Sequence, residues 1–139
     1  MAVHAFENRG PEPDAGAILA AALRREIIRA DIVRLADPQN ADAEVFARIT
    51  RLKASPIAFP TGVAQGEMSV GEYSLAITLD VKVVSKDGRV LFQNKAFSGA
   101  GEYLAGPEPI ATTENRHRAL QRLAEKMMTD LHDAILQGF

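Results

Sequence analysis

A chain of 139 residues, 47% hydrophobic and 24% charged, has ordinary globular composition and enough apolar material for a single core. Its formal net charge of −2 and pI near 5.9 argue against a protein that binds nucleic acid by neutralising many phosphates. The absence of cysteine excludes disulfides, thiolate catalysis and cysteine metal sites, and no run approaches the ~18 apolar residues a membrane-spanning helix needs.

Val3 to Phe6 reads as a short strand, and Glu7 to Pro13 as a turn rich in backbone-breaking residues. An ordered element so near the first residue leads us to expect that a leader has been cut from the natural chain. Asp14 is placed to cap a helix from Ala15 to Ala30. Leu19, Leu23, Ile27 and Ala30 form its apolar stripe, while Arg24, Arg25 and Arg29 form a solvated face that also suits the negative end of the helix dipole. Ile32 to Leu35 reads as a second short strand, and Ala36 to Asp42 as a turn. A third, longer strand follows from Ala43 to Ser55, where Ala43, Val45, Ala47 and Ile49 alternate with polar residues. Pro56, which cannot donate to a ladder, is expected to end it.

Between Pro56 and Val70 the chain has no clear period, and connections of this length are usually functional or disordered. This one carries Ile57, Phe59, Val63, Met68 and Val70 but no basic residue, so contact with an apolar partner suits it better than contact with an anion. Tyr73 to Val84 then alternates without a break, placing Tyr73, Leu75, Ile77, Leu79, Val81 and Val83 on one face. At ~3.3 Å per residue such a strand reaches ~40 Å. Lys86-Asp87-Gly88-Arg89 predicts a two-residue type I′ turn, which sets Val83 opposite Phe92, Leu79 opposite Ala96 and Asp80 opposite Lys95. The returning strand, Arg89 to about Tyr103, fades into Ser98-Gly99-Ala100-Gly101, where small residues predict a bulge or the close approach of another backbone. Thr112 or Thr113 is placed to cap a last helix with Leu120, Leu123, Met127, Leu131 and Ile135 on its buried stripe and Gly138 at its end. These elements predict an α+β fold over residues 1–139: a two-layer sandwich with two helices on one face of a mixed, mostly antiparallel sheet built around a long hairpin.

Little in the chain points to catalysis. His4, His117 and His132 lack a second ligand at metal spacing, no serine sits in a nucleophile elbow, and Gly99-Ala100-Gly101 lacks the lysine and following helix of a phosphate loop. No enzyme, metal or cofactor is expected. The basic residues are more telling: Arg116, Arg118, Arg122 and Lys126 on the last helix, Lys95 on the hairpin, and Arg48, Arg51 and Lys53 on the third strand could meet an anionic lipid or glycan, or simply form solvated faces.

Several short motifs recur in a familiar order. Phe6-Glu7-Asn8-Arg9 with Glu12-Pro13 precedes the first helix, Ala41-Asp42-Ala43 opens a strand, Gly71-Glu72-Tyr73 opens the hairpin and Asp87-Gly88-Arg89-Val90-Leu91-Phe92 turns it. Glu114-Asn115-Arg116 through Leu123-Ala124 to Ile135-Leu136-Gln137-Gly138-Phe139 closes the chain. In this order and spacing the chain resembles the lipopolysaccharide-assembly lipoprotein family, LptE. The resemblance implies an outer-membrane lipoprotein on the periplasmic side, anchored by a lipidated N-terminal cysteine that is not in this sequence. It implies that the chain plugs the LptD β-barrel, helps it assemble and binds lipopolysaccharide, with no nucleic-acid partner and no membrane contact beyond the anchor. The family's lipid-binding cations lie near the loop before the hairpin and near the start of the last helix. The first loop has none here, so the expected lipid contacts are Arg116 and Arg118, with Lys95 as a weaker companion. A periplasmic regulatory module that activates a peptidoglycan synthase, or a secretion-channel subunit, would share the same opening, and only the long hairpin and matching helix favour the plug.

Overall fold

In the computed structural model the described residues are 1–10, 12–58 and 71–138. The elements run β1 (Ala2–Val3), β2 (Glu7–Asn8), α1 (Ala15–Ala30), β3 (Ala43–Ala58), β4 (Glu72–Ser85), β5 (Val90–Leu104) and α2 (Pro109–Gln137). The alternation in β4 does what its pattern dictates: Leu75, Ile77, Leu79, Val81 and Val83 are all fully buried, while Ser74, Ala76, Thr78 and Asp80 face the other way. Five strands form one sheet in the order β1-β3-β4-β5, with β2 also paired to β3. β1 and β2 run parallel to β3, and β3, β4 and β5 are antiparallel, which makes the sheet mixed as expected.

Both helices cover one face. α1 has the predicted bounds, and its Leu19, Leu23 and Ile27 pack into the same cluster as Leu120, Leu123, Met127, Leu131 and Ile135 of α2 and the inward residues of β3 and β4. Each such side chain withdrawn from water contributes roughly 1.5–3 kcal/mol. At ~1.5 Å per residue α2 spans ~44 Å, close to the ~46 Å of β4 at ~3.3 Å per residue, so helix and hairpin run in step. The small residues of β5 admit this packing. A methyl group on Gly99 would come within 2.5 Å of Met127 Cγ, and one on Gly101 within 3.8 Å of Leu123 Cβ.

Several expectations are corrected. The first strand is two short pieces, β1 and β2, with His4 to Phe6 between them. Ile32 to Leu35 is not a strand. Among the described residues it meets the chain beside β1 only at Met1, whose ammonium donates to the Arg34 carbonyl at 2.6 Å and whose carbonyl accepts from Ala36 N–H at 2.9 Å; two bonds do not make a ladder, and Ile32 is 68% exposed. Asp14 occupies the N-cap position of α1, but its side chain makes no capping hydrogen bond, and its backbone is helical rather than extended. β3 continues through Pro56, which pairs with Tyr73, to Ala58. Among the described residues no strand pairs with β3 on its other side beyond Ile49, and an open edge is where a residue without an N–H can sit. The remainder of the expected Pro56 to Val70 loop lies outside the described residues from 59 to 70.

The hairpin turn is longer than predicted. Ser85 N–H donates to the Arg89 carbonyl at 2.8 Å and Gly88 N–H to the Ser85 carbonyl at 2.9 Å, so Lys86, Asp87 and Gly88 form a three-residue loop. Only Gly88 takes positive φ, at 89°. This is the hairpin built from a type I turn followed by a left-handed glycine. Val83 does face Phe92, but an extra residue at Lys95 and Ala96 shifts the ladder, so Leu79 faces Phe97 rather than Ala96. Asp80 lies opposite that bulge, and it pairs with Arg48 of β3 at 3.2 Å instead of with Lys95. α2 also starts earlier than predicted, with Pro109 in its first turn. Thr112 and Thr113 sit inside that turn and donate back to the carbonyls of Glu108 and Pro109 instead of capping.

Candidate functional site

The free end of the hairpin and the first turns of α2 form a polar cleft. Tyr73 and Tyr103 are opposed across β4 and β5, and their rings stack at 5.3 Å with an interplanar angle of 15°. Tyr103 is buried, and burial pushes its phenol above the ordinary tyrosine value, with the charge of Arg116 pulling the other way. Asn115 fixes α2 to the strand by donating to the Leu104 carbonyl at 2.8 Å, and Thr112 accepts from Gly106 N–H at 2.9 Å. A cleft of about 410 Å³ opens beside these anchors, lined by Glu72, Glu102, Tyr103, Leu104, Asn115, Arg118 and Arg122.

Spacing on α2 decides which cations share this cleft. Asn115, Arg118 and Arg122 follow one another at three and four residues and so lie on one side of the helix. Arg116, two residues from Arg118, points elsewhere: its Nε lies 2.7 Å from Oε1 of Glu12 in the turn before α1, and both side chains are partly exposed. Lys95 is exposed at the β5 bulge. It is eight residues from Tyr103 along the strand, which at ~3.3 Å per residue is ~26 Å. The structure therefore gathers Arg116 and Arg118 at one end of the sandwich and leaves Lys95 apart from them. Arg122 belongs with Arg118, and the signal for it was the four-residue step along the helix. Chemically, this end offers guanidinium groups for an anion and an apolar lip, since Leu104 is 58% and Ile110 71% exposed.

The other polar cluster lies between the helices. Glu26, 7% exposed, accepts from Arg29 at 3.0 and 2.6 Å and from Thr129 of α2 at 3.2 Å. Hydrogen bonding from Arg29 holds its carboxyl below the usual 4.5, against the opposing effect of burial. A carboxylate depressed in this way contributes stability above its unfolded value, and that contribution fades as pH falls through the lower folded value. Urea midpoints should thus separate wild type from Glu26→Gln at pH ~7 and converge by pH ~2. A gap that persists in acid would assign the role to packing instead of charge.

His132 is buried beside this cluster, His4 stacks on Phe46 at 4.5 Å, and His117 faces Gln121 at 3.3 Å. Among the described residues no group of His, Asp or Glu is arranged to hold a metal ion, and no helix is long and apolar enough to cross a membrane.

Solved structures share the architecture. A candidate lipoprotein from Caulobacter crescentus CB15 is similar at a TM-score of 0.66 and 13% identity, over 98% of this chain and 88% of that one. A hypothetical protein from Chlamydia trachomatis is similar at 0.57 and 11%, over 96% and 95%. A minor lipoprotein from Acinetobacter baumannii is similar at 0.52 and 13%, over 94% and 89%. At such identities the likeness is one of fold. No curated protein matches the sequence. The family model for lipopolysaccharide assembly, LptE, matches residues 1–135, nearly the whole chain, and with the long hairpin, the two helices on one sheet face and the observed strand order in place, this chain belongs to the LptE family.

Proposed function

We propose that this protein is a non-catalytic outer-membrane lipoprotein that plugs the LptD β-barrel, helps it assemble, and binds lipopolysaccharide for delivery to the outer leaflet. The observation that carries this reading is the family match over residues 1–135. The protein faces the periplasm through an N-terminal lipid anchor and needs no cofactor. A sandwich whose helix and hairpin are both ~45 Å long is a stiff body suited to filling a barrel. Lipid phosphates are met at the start of α2 by Arg116 and Arg118, with Arg122 beside Arg118 in the cleft, and Lys95 serves as a separate contact further along the hairpin.

Co-expression with a tagged LptD barrel from the same organism tests the partner. Stoichiometric recovery from outer membranes is the expected result; a barrel that matures unaided while a peptidoglycan synthase is captured instead would overturn it. For the lipid, Arg118→Glu with Arg122→Glu should weaken lipopolysaccharide binding about tenfold or more, because each loses a charge-assisted contact and gains a repulsion. The same pair should lower folding stability by less than ~1 kcal/mol, as exposed charges contribute little to it. Binding equal to wild type would remove the cleft from the site.

A further inference from the structure

The pairing of Arg116 invites a question about access. Its guanidinium, the first of the cations placed at the lipid end, is already engaged by Glu12 at 2.7 Å. Among the described residues that carboxylate is its only ion partner. Both side chains keep contact with solvent, Arg116 at 36% exposure and Glu12 at 22%, so a ligand can reach the pair.

We propose that Glu12 is a built-in competitor at this site: its carboxylate holds Arg116 until a phosphate group of the bound lipid takes its place. The inference rests on the lipid-binding reading above and goes further by naming what the lipid must displace.

The turn that carries Glu12 is built for such an exchange. The Glu12 carbonyl accepts from Asn8 Nδ2 at 2.5 Å and from Ala15 N–H at 3.2 Å, and Asn8 Oδ1 accepts from Gly10 N–H at 2.9 Å. The backbone is therefore pinned without help from the carboxylate, which can release Arg116 while the turn stays in place. Arg116 is pinned likewise, since its neighbour Asn115 ties the helix to Leu104. A carboxylate and a phosphate present similar oxygen pairs to the planar guanidinium, and the phosphate carries the greater charge. A pair of this exposure shifts an equilibrium by a factor of only about two to five, so the displacement is within reach of a phosphate.

The test uses the full chain and calorimetric titration with lipopolysaccharide. Glu12→Gln should bind about two- to fivefold tighter than wild type. Arg116→Gln should bind more weakly, and the double variant no tighter than Arg116→Gln alone. With dephosphorylated lipopolysaccharide the advantage of Glu12→Gln should vanish. Equal or weaker binding by Glu12→Gln, or an advantage that survives loss of Arg116 or of the lipid's phosphates, would overturn the proposal. The exchange Glu12→Arg with Arg116→Glu keeps the strut but reverses its polarity; it should melt like wild type and bind as poorly as Arg116→Gln, and wild-type binding by it would also overturn the proposal. Wild-type binding with Glu12→Gln unchanged leaves the lipid-binding reading standing and removes only the role of Glu12. No binding by any of these proteins would remove both.

Discussion

Leu131→Ala should cost ~2–5 kcal/mol of folding free energy, read as a fall in the urea midpoint at unchanged slope. Leu131 is fully buried on the stripe of α2 that faces α1 and the sheet, in the cluster that also holds Leu23, Ile27 and Val81. Removing most of its side chain loses the transfer free energy of the missing carbons and leaves a cavity. Rigid elements on both sides limit how far the site can close, and that limit sets where in the range the loss falls. Leu104→Ala is the control. That leucine is 58% exposed, and its truncation should change stability by less than ~0.5 kcal/mol. A loss for Leu131→Ala as small as the control's would mean that α2 is turned about its axis relative to the face described.

Gly16→Ala should destabilise by about 1–3 kcal/mol, whereas alanine in an unobstructed helix is the better residue by roughly 0.5–1 kcal/mol. The sign reverses because α1 is pressed against the chain that follows β1. A methyl group on Gly16 would lie 2.5 Å from the Phe6 carbonyl oxygen and 3.4 Å from Asn8 Cβ. The obstacle is backbone, which cannot rotate aside, so either the helix or the β2 segment must shift. Thermal unfolding of the purified variant decides the matter; a raised midpoint would show that the two segments are not in contact. The same displacement would disturb the turn that carries Glu12, so Gly16→Ala should also loosen the contact with Arg116.

How much of this was legible in the sequence depended on whether one element's own residues determined the outcome. The bounds of α1 and the buried faces of α2 and β4 follow from unbroken periodicity, and the structure keeps them. The Ile32–Leu35 segment had strand-like residues, but the neighbour it finds is the first residue of the chain, and its two bonds to Met1 do not extend into a ladder. The hairpin register failed where β5 accepts extra residues at Leu91 and at Lys95–Ala96. Nothing local announces these, because a bulge reflects how two strands twist together. In β3 a trace was present: Ile49 is followed three residues later by Leu52, and the bulge at Thr50 converts that odd step into a continued inward face. Arg51 and Lys53 are thereby sent to the face without helices, opposite Thr78 and Ala76. At the candidate site, Arg116 and Arg118 were visible as charges near a helix start, but the partner of Arg116 was not. Glu12 comes from the other end of the chain, and only the packing of α1 beside α2 brings the two together.

The interruptions in β5 also govern what this molecule does at high concentration. Among the described residues β5 is the last strand in the sheet order, and a straight outer strand of fifteen residues would be a template on which further copies could stack. Two bulges and the exposed charge of Lys95 break that template in its first half. Only Phe97 to Leu104 remains regular, and one end of it is closed off by the Asn115 bond to Leu104. Removing the central bulge by deleting Ala96 should therefore make the protein prone to form filaments, an outcome that dye-binding and light scattering would register within hours of concentration.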